Sequence, residues 1–151
     1  MRIPLALLFC IGMTASAAGE EMDFALTKAG LEEDRVELIA VASALLKATP
    51  EVAHEYVFML QRLEHKVNGR VQNLRGGRLT RVWAERANRL RAEEVRWACL
   101  TWWASQIRAT AMDFKRAATL YASSANAEYL KSNAPSLRQI EPGSIYLPNC
   151  E

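Results

Sequence analysis

From Pro50 to Arg75 the apolar residues Val52, Tyr56, Leu60, Leu63, Val67, Val71 and Leu74 recur at intervals of four, four, three, four, four and three. That spacing draws one face on a helix of 3.6 residues per turn and cannot be a strand, whose faces alternate at every residue. The same period occupies most of the chain. Phe24, Leu31, Leu38, Ala42 and Leu45 keep it between about Glu21 and Ala48, with Ile39 and Leu46 widening the stripe. Leu79 to about Ser123 contains neither proline nor glycine, and Trp83, Ala87, Leu90, Trp97, Leu100, Trp103, Ile107, Ala111, Phe114, Ala118 and Tyr121 trace its apolar side. These segments predict an all-α fold: an antiparallel bundle of three long helices with a short helix and an irregular tail behind it.

The punctuation agrees. Thr49-Pro50-Glu51 is a helix start, with a capping hydroxyl, a proline tolerated at the first position and an acid at the positive dipole end. Gly76-Gly77 is a short turn that favours an antiparallel hairpin. A helix from Leu79 to Ser123 would reach about 65 Å, so a bend is expected near Glu93-Glu94 or near Ala122–Asn126. Gly30 is expected to loosen the first helix locally. After Asn126 a short helix reaches about Ser132, and Pro135, Pro142-Gly143 and Pro148 mark a tail over residues 133–151. Its Ile140, Ile145, Tyr146 and Leu147 are expected to pack onto the bundle.

The amino terminus has the order of a secretory leader. Arg2 supplies a positive start, Ile3 to Met13 an apolar run, and Thr14 to Ala18 small residues ahead of Glu20-Glu21. The run is too short for a membrane span, which needs about 20 apolar residues. Residues 1–18 are therefore expected to be removed, leaving 19–132 as the bundle domain, with no membrane span, in the periplasm or outside the cell. Removal takes Cys10 away and leaves Cys99 and Cys150. In an oxidising compartment they are expected to pair, closing a loop of about fifty residues worth roughly 3–5 kcal/mol.

The net charge of +2 conceals a division. Gly19 to Glu55 holds nine acidic and three basic residues, whereas Arg62 to Arg91 holds nine basic and two acidic. The two blocks could neutralise each other within one bundle, or the basic block could meet an anionic envelope component. Nucleic acid is a poor match for an exported chain so near neutrality. No nucleophile motif or phosphate-cradling glycine loop is present, and the two histidines, His54 and His65, lie about 16 Å apart along one helix, off its apolar stripe. No cofactor or metal is expected.

Glu94 interrupts the apolar side of the third segment, which makes it a buried ion-pair partner or, alternatively, the acid of an envelope hydrolase. Trp97, Trp102 and Trp103 stand among Arg96 and Arg108, and tryptophan with arginine is the composition of binding hot spots. Trp102, Arg78, Arg81, Arg96 and Arg108 are accordingly the candidate binding residues for an unidentified protein or envelope component. The expected function is that of a non-enzymatic binding or accessory protein; a bundle enclosing a small apolar ligand is a further alternative. When the chain is exported by a bacterial host, the intact mass of the product should correspond to a first residue of Ala18 or Gly19.

Overall fold

A computed structural model describes the backbone of residues 6–73 and 92–151 and the side chains of 21–70, 94–126 and 128–151. The described residues form three long helices, α1 (Ala6–Leu45), α2 (Pro50–Asn73) and α3 (Ala92–Ser124), a short α4 (Ala127–Asn133) and one 3-10 turn at Leu137–Ile140. The fold is the all-α bundle that the periodicity predicts. Helix α1 is continuous from Ala6, so it starts well before Glu21 and stops three residues short of Ala48. The Gly76-Gly77 turn, the Trp83–Leu90 part of the third stripe, Arg78 and Arg81 lie outside the described residues.

Cross-helix contacts fix the directions. Glu37 pairs with Arg62 while Asp34, one turn earlier on α1, pairs with Lys66 and Arg70 further along α2. Those two helices therefore run antiparallel. Helices α1 and α3 run parallel, since Glu21 meets Arg96 at one end and the Ala48 carbonyl accepts from Tyr121 Oη at 3.0 Å at the other. Helix α2 thus lies antiparallel to both of its long neighbours. Helices α2 and α3 make the most extensive contact, and α1 lies against both.

The core follows the stripes. Phe24, Leu31, Leu38, Ala42 and Leu45 of α1 are buried, as are Leu60, Leu63 and Val67 of α2. Leu100, Trp103, Ile107, Phe114 and Tyr121 of α3 close on them. Each fully buried large aliphatic side chain contributes about 1.5–3 kcal/mol. The described part of α3 begins at Ala92, so the expected bend near Glu93-Glu94 lies at the edge of the described residues, and the helix ends where the second expected break lies. Ala125 takes a left-handed φ of 53°, and Asn126 then caps α4 by accepting from the Glu128 and Tyr129 backbone N–H groups. An alanine with positive φ is uncommon, and it reverses the chain in one residue.

Gly30 does not loosen α1. Its Cα faces the Arg70 guanidinium so closely that an added Cβ would overlap Nη1 and Cζ. The missing side chain lets Arg70 cross α1 and donate from Nε to Asp34 Oδ2 at 2.6 Å. Asp34 has no exposed surface, and Lys66 Nζ reaches its other oxygen at 2.7 Å. Lys66 also meets Glu37 at 2.9 Å, and these two carboxylates hold its pKa above the usual lysine value, Asp34 contributing most. The described part of the basic block is thus paired with the acidic helix.

Gly30→Ala improves helix propensity by about 1 kcal/mol but pushes Arg70 off Asp34. In chemical denaturation Gly30→Ala should destabilise the native chain. The same change should stabilise an Arg70→Met background, with a coupling of about 1–2 kcal/mol between the two sites.

Candidate binding site

Three residues within five positions of α3 hold the tail. Cys99 is bonded to Cys150, with the Cα atoms 5.6 Å apart and both residues buried. Trp103 Nε1 donates to the Pro148 carbonyl at 2.8 Å and Trp102 Nε1 to the Tyr146 carbonyl at 2.6 Å. Positions 99, 102 and 103 recur at the three-and-four spacing of one helix side, so they present a single row to the tail. From α1, Lys28 Nζ adds a bond to the Cys150 carbonyl at 3.3 Å.

The tail between these anchors is also closed on itself. The Gly143 N–H donates to the Leu147 carbonyl at 2.8 Å, and the Leu147 N–H to the Ser144 carbonyl at 3.1 Å. Gly143 has φ of +78°, a conformation that glycine enters at no steric cost. Ile140 and Leu147 drop into the core as expected, but Ile145 and Tyr146 do not. Ile145 stands 88 % exposed at the tip of this turn, and Tyr146 is 44 % exposed beside it. A tight turn alternates which residues face in, so a four-residue apolar set cannot all be buried. The cue in the sequence is the bracketing of Ile145-Tyr146-Leu147 by Pro142-Gly143 and Pro148, with a cysteine beyond.

Of the candidate arginines, Arg96 is engaged within the bundle. Arg96 donates from both terminal nitrogens to Glu21, each at 2.9 Å, and its guanidinium lies 4.0 Å over the Phe24 ring. Trp97 meets the same ring edge-on at 5.4 Å. The bonds from Arg96 lower the Glu21 pKa, but that carboxylate is exposed and the pair is screened. Arg108 is half-buried, with its Nε enclosed and without a hydrogen-bond partner. Trp102 is partly exposed, and its one donor is committed to the tail. The proposed cluster therefore divides: Trp102 belongs to the tail clamp and Arg96 to the α1–α3 contact.

Glu94 is exposed, not core-facing. Counting about 100° per residue back from Ile107 puts it about 140° from the middle of the buried face. Trp97, which suggested its phase, lies on the flank of that face instead of at its centre. His54 and His65 are both exposed. Among the described residues no three His, Cys, Asp or Glu side chains converge to hold a metal ion, and no helix is long and apolar enough to cross a membrane.

Beside the clamp lies an open cleft of about 480 Å³ between α1 and the tail, with Ala25 and Ala29 on one side, Pro142 on the other and Trp103 beneath. No protein-family model matches the chain, and no curated protein or solved structure is significantly similar to it.

Replacing both Cys99 and Cys150 by alanine should cost about 4 kcal/mol for a sequence separation of 51. Trp102→Phe should cost only about 1 kcal/mol. By hydrogen exchange the Trp102 change should accelerate the Gly143 and Leu147 amides while leaving the α1–α2 core protected.

Proposed function

We propose that this is an exported, non-enzymatic binding protein that offers the 141–148 turn to a protein partner with an apolar socket. The observation that carries this reading is Ile145, a large β-branched residue left almost entirely in water on a turn held from several sides. Isolated exposed hydrophobics are common on protein surfaces. Here the residue sits on backbone already ordered by a disulfide, two indole N–H bonds and three internal backbone bonds. Such a turn loses little conformational entropy on docking, which is the main penalty for a flexible loop. Tyr146 adds an aromatic surface of the kind found at interface centres.

The hydrolase alternative loses its main support with Glu94, since a catalytic acid needs an enclosed position opposite a second carboxylate. The basic block also has a use that requires no anionic surface, in the pairs from Arg62, Lys66 and Arg70 to α1.

A photoreactive residue at position 145 should capture one or a few discrete proteins from envelope extract. The same group at exposed Glu128 should not capture them. With the photoreactive group moved to Tyr146, Ile145→Asp should lower capture at least tenfold without changing the melting temperature. Equal capture from positions 145 and 128 would overturn the reading.

A further inference from the structure

The cleft between α1 and the tail has a chemistry of its own. Its apolar walls are Ala25 and Ala29, one turn apart on α1, facing Pro142. Trp103 lies beneath with its only polar atom bonded to the Pro148 carbonyl, so its contribution is hydrocarbon. Small side chains on α1 are what leave the space open.

Three polar residues edge the cleft, Glu32, Lys28 and Asn149. Glu32 is already neutralised, because Arg35 donates to both of its oxygens, through Nε at 2.8 Å and through Nη2. Those bonds hold the Glu32 carboxyl below its ordinary pKa, so it stays ionised and paired at neutral pH. Lys28 differs. Among the described residues it makes no close ion pair: its ammonium donates to the neutral Cys150 carbonyl and attracts Glu32, whose oxygens Arg35 already occupies, only at longer range. The cleft therefore combines a hydrocarbon base with one cation whose nearest carboxylate is hydrogen-bonded elsewhere and, at Asn149, one side-chain amide.

We propose that this cleft binds a small apolar monocarboxylate, with its hydrocarbon part over Ala25, Ala29 and Trp103 and its carboxylate at Lys28 and Asn149. A volume of about 480 Å³ falls among those of small-ligand sites. One ammonium and one amide suit a single negative charge. A phosphate dianion would call for more donors, usually including arginine or a helix N-terminus. The carboxylate could end a fatty chain or an apolar C-terminal residue of a peptide, since both present the same group on the same kind of body.

Calorimetric titration of the full chain with octanoate, octanamide, octylammonium and N-acetyl-leucinate tests this. At least one of the two carboxylates should bind saturably, about tenfold or more tightly than octanamide, and octylammonium should not bind. Preference for octanoate identifies a fatty chain as the source, and preference for N-acetyl-leucinate a peptide terminus. Lys28→Gln should reduce carboxylate binding to the octanamide level, and Ala29→Trp should abolish it by filling the cleft. Circular dichroism should show both variants folded, as expected for substitutions outside the core. Saturable binding of octylammonium, binding of neither carboxylate, or undiminished carboxylate binding by folded Lys28→Gln would overturn the proposal. Ile145→Asp should leave carboxylate binding unchanged, which separates this site from the turn proposed for the protein partner.

Discussion

A carboxylate with no exposed surface must be neutralised where it stands, and Asp34 imposes that condition on the α1–α2 pair. An isolated buried charge costs several kcal/mol, and it persists only with well-placed opposite charges. Lys66 and Arg70 meet the requirement from one side of α2, at positions four apart and therefore one turn apart. Sliding α2 by one turn one way would leave Asp34 with Arg70 alone, and the other way would put Arg62 and Lys66 opposite it and take Arg70 out of the Gly30 gap. The ion cluster thus selects a register that Leu31, Leu38, Leu60 and Val67, being interchangeable hydrocarbon, specify only loosely. Gly30 belongs to the same device, because Arg70 reaches its carboxylate across the space a side chain would fill.

The opposite side of α1 takes part in a second arrangement, of a different kind. Here the tail has little regular structure of its own and is ordered by what α3 presents to it. A disulfide removes freedom from the unfolded chain, while the two indoles satisfy tail carbonyls that would otherwise compete for water. Burying Ile140 and Leu147 on either side of the turn forces the intervening residues outward. The exposure of Ile145 is a consequence of how the tail is pinned, and the neighbouring cleft stays open because α1 lines its wall with small side chains.

Much of the fold is legible because helical burial is periodic. The buried hydrophobic residues of α1 coincide with its stripe, Leu60, Leu63 and Val67 do so on α2, and the break near Ala122–Asn126 falls where polar, capping residues replace the apolar run. Individual polar positions are less legible. Glu94 sits between Leu90 and Trp97 on the apolar pattern, yet Trp97 is itself a flank residue of the buried face. Over thirteen residues a small error in the centre of the face carries a side chain from core to solvent. Gly30 looked like a weak point because propensity describes an isolated helix, whereas its role depends on a guanidinium forty positions away. Arg96 and Trp102 have the composition of a hot spot, yet both are engaged by groups of this chain.

Periodicity, proline and glycine placement, and the pair of cysteines beyond residue 18 determine that the described chain is helical and how its tail is attached. They operate locally or through pairing of like with like, so one sequence contains them. The tertiary structure alone decided which charges pair, which apolar tail residues stay outside, and that small residues on α1 face a tryptophan across a gap. Those outcomes depend on distances between segments remote in sequence, where a shift of one helical turn exchanges one partner for another.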